Sequence, residues 1–192
     1  MNIACIPAYN EEVKIKDVVK RALPHVDRVI VCDDGSTDNT KTVAKKAGAI
    51  VISHVKNLGY GAAISTLFDY SRKNNAEIMV TLDGDGQHNP DQIPDLTNVI
   101  LEHNVDVVIG SRSLKDDKDL PGYRKTGIKI ITATINSATN LKVTDSQSGF
   151  RAYSKKAIDL IHPSESGMSV STEILLKISN NGLSIAEVPI TV

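Results

Sequence analysis

Five short, almost wholly apolar runs rich in β-branched residues recur through the first 110 positions, and each is separated from the next by a stretch with helical spacing. The runs are 3–6, 28–32, 49–53, 78–82 and 105–109, and the helical stretches are 11–23, 38–47, 60–74 and 91–103. A strand that is apolar on both faces must be covered on both faces. Alternation with helices supplies that cover through right-handed βαβ crossovers. The pattern predicts an α/β chain with a mostly parallel sheet flanked by helices. Asp38 and Asp91 are read as N-caps and Gly48 as a helix stop.

The pattern changes after Ser111. Residues 112–122 form a charged loop, 123–140 a long helix with Ile128, Ile131 and Ile135 on one face, and 149–153 a strand. A short helix at 155–161, a helix at 171–181 closed by Gly182, and a strand at 184–192 complete the reading. The chain stops at Val192 with no polar closing segment and is read as a truncated end. Its 192 residues suit one domain, covering 1–192.

Lys plus Arg number 22 and Asp plus Glu 23, a net charge of −1, which gives no electrostatic ground for a nucleic-acid partner. Hydrophobic residues at 41% and charged residues at 23% exclude a disordered tail. Cys5 and Cys32 lie in apolar runs and read as reduced core thiols. No basic leader opens the chain and no apolar run approaches the ~18 residues of a membrane span, so a soluble cytoplasmic domain is expected.

In an open parallel sheet, ligands gather at the carboxyl ends of the strands. Each predicted strand is followed there by polar or glycine-rich sequence: Pro7-Ala8-Tyr9-Asn10-Glu11-Glu12, Asp33-Asp34-Gly35-Ser36-Thr37-Asp38, Asn57-Leu58-Gly59-Tyr60-Gly61, Asp83-Gly84-Asp85-Gly86-Gln87-His88 and Gly110-Ser111-Arg112. Asp83 and Asp85 at the end of a buried strand call for compensation. A hard divalent cation, Mg²⁺ or Mn²⁺, supplies it, with Gln87 as a neutral oxygen ligand and substrate phosphates at the open positions. The plain alternative is an acidic turn. Asp34 suits a nucleobase or ribose contact, against an Asx-turn, and Pro7, Tyr9 and Glu11 suit a base pocket, against ordinary packing. Asn57-x-Gly59-x-Gly61 permits close backbone approach to a ligand or to another segment. Arg112 and Arg124 suit phosphate or sugar, against solvated surface charge.

With these motifs together, and with Ser148-Gly149-Phe150-Arg151, the chain resembles family 2 glycosyltransferases of the GT-A, Rossmann-like fold. The likeness is greatest to transferases that load a sugar onto a polyprenyl phosphate such as dolichyl phosphate. The resemblance implies that Pro7, Ala8, Tyr9 and Glu11, with Asp34, bind the base and ribose of a GDP- or UDP-sugar. It implies that Asp83 faces the nucleotide and that Asp85 and Gln87 hold the metal on the diphosphate. Arg112 would meet the donor sugar, Arg124 the diphosphate or lipid phosphate, and Asp145 would be an active-site acid. Residues about 1–112 would then form the donor-binding part and about 113–192 the acceptor side. A lipid acceptor implies work at a membrane surface, through the acceptor itself or a further C-terminal segment.

The expected chemistry is displacement at the anomeric carbon with inversion. Because the chain contains no Trp, it lacks the Gln-x-x-Arg-Trp motif of saccharide-elongating relatives. Three rival readings are a transferase acting on a sugar hydroxyl of a glycolipid or polysaccharide, a non-catalytic nucleotide-sugar-binding module, and a sugar-1-phosphate nucleotidyltransferase. The acidic loop Pro7–Glu12 speaks against the last, since it would repel a nucleoside triphosphate.

Overall fold

The structure, a computed structural model, describes residues 1–114, 132–137, 139 and 141–191. The strands are β1 (Asn2–Ala8), β2 (Arg28–Asp33), β3 (Ile50–Ser53), β4 (Ile78–Thr81), β5 (Val107–Ser111), β6 (Arg151–Ser154) and β7 (Ile185–Pro189). The helices are α1 (Ile15–Ala22), α2 (Thr40–Ala47), α3 (Tyr60–Lys73), α4 (Ile93–His103), α5 (Lys155–Leu160) and α6 (Val170–Asn180). All seven strands join one sheet in the order β3-β2-β1-β4-β6-β5-β7.

Strand alternation explains the layering. Ile3, Cys5, Ile30, Cys32 and Met79 face a core shared with Leu67 and Phe68 of α3, Ile158 of α5 and Ile174 of α6. The intervening Ala4, Ile6, Val29, Val31 and Val80 face the opposite core with Ile15 of α1, Ala44 of α2 and Ile93 of α4. Side chains of a strand point alternately to either face, so the central strands, covered on both, are apolar nearly throughout. Both cysteines are free and buried, and burial pushes each thiol up to about 12.

The sheet is mostly parallel, as expected, and β6 is its one antiparallel strand. β6 runs antiparallel to both β4 and β5. The chain leaves β5 at the carboxyl edge and re-enters the sheet at Arg151 from that same edge, so it has to run the other way. The predicted strand at 149–153 is accordingly Arg151–Ser154. Other boundaries shift by a few residues: the first helix starts at Ile15, not 11, and the fifth strand starts at Val107, not 105. Asp106 is drawn out of that strand to accept the amide of Ser184 at 2.8 Å and Lys156 Nζ at 3.1 Å.

Neither predicted cap holds as stated. Asn39 occupies the cap position of α2, although Asp38 still accepts the Thr40 amide at 2.9 Å. Asn89, not Asp91, caps the short turn before α4, while Asp91 pairs with Arg21 at 2.7 Å. Gly48 does close α2, at φ 110°. The predicted helix at 123–140 and most of the 112–122 loop lie outside the described residues, save that 112–114 form a 3₁₀ turn and 132–137 are helical.

Gly59 and Gly61 answer the question their spacing raised. The amides of Gly61 and Ala62, at the start of α3, donate to the carbonyl of Ser166 at 2.8 and 3.3 Å. A Cβ on Gly61 would lie 2.0 Å from the Glu165 carbonyl oxygen, and one on Gly59 2.4 Å from that of Ser166. The glycines therefore let the 162–169 segment dock on the helix start, and the two amides are spent on protein. Gly61→Ala is expected to destabilise the fold by about 1–3 kcal/mol through overpacking against backbone, read as a lower denaturant midpoint. An unchanged midpoint would show that the segment yields freely.

The same segment is clasped from the other side by Glu173. Its carboxylate accepts the amide of Ser164 at 3.0 Å and that of Glu165 at 2.9 Å, and pairs with Lys177 at 2.9 Å. Burial would raise this carboxyl, but these donors outweigh it and hold it at about 2, against an ordinary 4.5. The depressed value means that Glu173 stabilises the fold above pH 4.5 and loses that contribution as pH falls toward 2. Glu173→Gln is expected to flatten the acid limb of the stability profile in that window, measured by unfolding at stepped pH.

Candidate active site

The sheet order places β2 and β3 on one side of β1, and β4 with the remaining strands on the other. The chain thus reverses its winding between β1 and β4, and in such a sheet the crevice outside that point takes the ligand. A cavity of about 390 Å³ lies there. Pro7, Ala8, Tyr9 and Glu11 after β1, Asp34 after β2, and Asp83 and Asp85 after β4 all line it, as predicted.

The loops after β1 and β2 are held mostly by each other. Backbone amides of Asn10, Glu11 and Glu12 donate to Ser36 Oγ (3.0 Å), Thr40 Oγ1 (2.7 Å) and Asp38 Oδ2 (3.1 Å). In return Thr37 and Asn39 donate their amides to Asn10 Oδ1 and Glu12 Oε2, both at 2.9 Å. Short polar side chains satisfy main-chain groups that a loop leaves open. The side chain of Glu11 takes no part in this lattice, and the residue lines the cavity. Burial raises its pKa first, then the charges of Asp85, Asp38 and Asp83.

Four carboxylates line the cavity, and among the described residues no lysine or arginine does. Tyr60 Oη donates to Asp83 Oδ1 at 3.2 Å, and the Asp83 amide donates to His88 Nδ1 at 3.2 Å. Burial lowers the His88 pKa below 6.5 despite nearby Asp83 and Asp85, so His88 is neutral at pH 7 and offers no countercharge. Asp85 accepts the Gln87 amide at 2.9 Å, which sets the exposed Gln87 beside it. Among the described residues no three His, Cys, Asp or Glu side chains converge to hold an ion unaided. Two carboxylates and an amide oxygen do fit a divalent ion that shares its remaining positions with phosphate oxygens.

Arg112 and Asp145 are brought together, but not into the cavity lining. Arg112 Nε and Nη2 grip Asp145 Oδ2 and Oδ1 at 2.7 and 2.9 Å, and the Arg112 amide adds a bond of 3.2 Å. Asp145 is 1% exposed. Burial pushes its pKa up, but the Arg112 guanidinium and the Arg112 and Gln147 amides together hold it below the ordinary carboxylate range. Such a group is a weak proton acceptor. Arg124 lies outside the described residues.

Asn57, Tyr60, Ala63, Gln147, Gly149, Met168 and Ser171 also line the cavity. The last four come from segments far along the chain. Buried Arg151 assembles that wall: its guanidinium donates to the carbonyls of Ser146 (2.7 Å), Ser148 (2.9 Å) and Ser171 (3.3 Å). A Cβ at Gly149 would sit 3.0 Å from both Asp83 oxygens and from Tyr60 Oη, so a side chain there would press on that carboxylate. Met168 and Ser171 carried no signal of their own; an arginine in an otherwise apolar strand was the available hint.

The profile described as glycosyl transferase family 2 matches residues 3–161. The chain is a family 2 glycosyltransferase. It is 36% identical, over 96% of its length and 82% of the relative's, to the UDP-N-acetylglucosamine–dolichyl-phosphate N-acetylglucosaminyltransferase of Methanococcus voltae. It is 31% identical to the dolichyl-phosphate hexose transferase of Haloferax volcanii, over 95% of this chain and 78% of that one. In shape the transferase resembles glucosyl-3-phosphoglycerate synthase from Mycobacterium tuberculosis, solved with Mn²⁺, UDP and glucosyl-3-phosphoglycerate. The TM-score is 0.79 at 25% identity, covering 99% of this chain and 70% of that one. The transferase has the GT-A fold. Among its described residues no helix is long and apolar enough to cross a membrane.

Removing Arg112 leaves a buried carboxylate without its cation. Arg112→Met is expected to destabilise the transferase by about 3–5 kcal/mol in denaturant unfolding. Combining it with Asp145→Asn should cost clearly less than the sum of the two single changes. Strict additivity would mean that the pair does not interact as drawn.

Proposed function

We propose that the transferase moves a hexose from a UDP- or GDP-sugar to a polyprenyl phosphate, with a divalent metal and with inversion at the anomeric carbon. The observation that carries this reading is the cavity at the winding reversal, lined by four carboxylates and, among the described residues, by no lysine or arginine. It supports a ligand whose negative charge arrives together with a metal, as a nucleoside diphosphate does. Names of relatives that act on dolichyl phosphate support the acceptor. On this reading residues about 1–112 bind the donor and about 113–192 form the acceptor side, with Gln147, Gly149, Met168 and Ser171 crossing over to wall the donor. Work at a lipid headgroup brings the protein to the membrane surface as a peripheral protein.

Pro7, Ala8, Tyr9, Glu11 and Asp34 would hold the base and ribose, and Asp83 the nucleotide. Asp85 and Gln87, beside Asp83, would hold Mg²⁺ or Mn²⁺, which when bound neutralises the diphosphate and its growing charge as it departs. Arg112, oriented by Asp145, would meet the donor sugar, and Arg124 a phosphate. The chain needs no strong base for this acceptor. A phosphate monoester has a second pKa of about 6, so at neutral pH its oxygen is already a nucleophile. That agrees with an Asp145 committed to Arg112 in place of proton transfer.

The test is the shift in unfolding temperature with Mn²⁺ and a panel of UDP and GDP sugars, followed by transfer to a short polyprenyl phosphate. A donor at a hundred times its Kd should add about 2.7 kcal/mol of stability. The expected result is a metal-dependent shift for one nucleotide that Asp85→Ala abolishes, and transfer that survives Asp145→Asn in reduced form. Absence of any shift overturns the donor site. Transfer only to a sugar hydroxyl, lost completely in Asp145→Asn, would overturn the lipid-phosphate acceptor.

A further inference from the structure

His54 belongs to none of the motifs above, yet it joins the donor loop through a chain of buried polar contacts. Its Nδ1 lies 2.6 Å from Asp34 Oδ1, and its Nε2 lies 2.9 Å from Thr66 Oγ1 on α3. Asp34, 3% exposed, also takes the amide of Leu58 on Oδ1 at 2.9 Å and that of Gly59 on Oδ2 at 2.8 Å. A carboxylate oxygen has room for about two donors. Oδ1 is therefore full, while Oδ2 keeps one acceptor position, on a residue that lines the cavity between Ala8 and Gly59.

The proton arrangement follows from the partners. Two backbone amides can only donate to Asp34, so the carboxylate is acting as acceptor and Nδ1 must carry the hydrogen it shares with Oδ1. On the other edge of the ring Nε2 meets Thr66 Oγ1 and lies 3.7 Å from Cys32 Sγ, so the imidazole is held at both nitrogens.

We propose that His54 is a positioning residue for the donor nucleoside. By occupying Oδ1 it fixes the plane of the Asp34 carboxylate, reserves Oδ2 for an N–H or hydroxyl of the base or ribose, and holds Leu58 and Gly59 at the cavity wall. The inference rests on the reading of this cavity as the donor site. It adds that the affinity of Asp34 for the nucleoside is set from behind by an imidazole and a helix hydroxyl.

Two substitutions of similar size separate this role from simple packing. The amide nitrogen of Asn overlays the Nδ1 position of His, whereas that of Gln overlays Nε2. His54→Asn therefore keeps the donor to Asp34, and His54→Gln moves it to the Thr66 side. For His54→Gln the Kd for UDP or GDP with Mn²⁺ is expected to rise about tenfold, a typical cost of losing an orienting partner, with KM for the sugar donor rising in step and kcat little changed. His54→Asn should restore most of the affinity. Without nucleotide, amide exchange at Leu58 and Gly59 should quicken in His54→Gln and not in His54→Asn.

Equal behaviour of the two variants in binding and exchange, or losses that track their unfolding midpoints, would overturn the positioning role. If the wild-type protein binds neither nucleotide while exchange still splits the variants as expected, the donor-site reading falls. His54 would then be left as an organiser of the loop alone, and the nucleoside role would fall with that reading.

Discussion

Negative charge gathered at one point of the sheet is the constraint that the rest of the structure answers. Glu11, Asp34, Asp83 and Asp85 meet around one cavity, and among the described residues no basic side chain in its lining offsets them. Burial, and then the charges of Asp85, Asp38 and Asp83, raise the proton affinity of Glu11. The loops that carry them are kept in place by neutral donors: amides of Leu58 and Gly59 on Asp34, the phenol of Tyr60 on Asp83, the Gln87 amide on Asp85. Hydrogen bonds from uncharged groups hold such charges without neutralising them, so the cavity remains attractive to a cation from outside.

Most of the sheet could be read in the sequence because its physical signal is local. β1, β2, β4 and β5 are apolar on both faces, and only a strand buried between two helical layers asks for that. Pro7, Ala8, Tyr9, Glu11, Asp34, Asp83 and Asp85 were legible for a related reason: strand order fixes which loops share an edge. The direction of β6 was not legible, because four residues of Arg-Ala-Tyr-Ser carry no mark of the edge from which they enter. Nor were Met168 and Ser171, which reach the cavity only through the docking of 162–169 on α3 and the grip of Arg151. Gly59 and Gly61 showed that a close approach was needed, but whether a ligand or a backbone approached depended on a segment a hundred residues away.

The charged groups divide into two kinds by what they touch. Asp145 and Arg112 satisfy one another, and a carboxylate with so low a proton affinity is better suited to orienting a guanidinium than to taking a proton. Asp83 and Asp85 pair with no lysine or arginine among the described residues. The proposed chemistry, with an acceptor that is already a nucleophile, needs charge neutralisation far more than proton transfer, and the distribution of partners agrees with that balance.

The antiparallel course of β6 has a consequence for how such an enzyme can change. Since the chain between Ser111 and Arg151 departs from and returns to one edge of the sheet, that excursion can lengthen, shorten or be exchanged without altering the register of any strand beneath it. Loop closure grows only slowly more costly with length. The molecule therefore works as a socket and an insert: the first four strands with their acidic loops form the socket, and the excursion, short of its last residues with Gln147 and Gly149 that wall the cavity, is the piece free to vary without moving a strand.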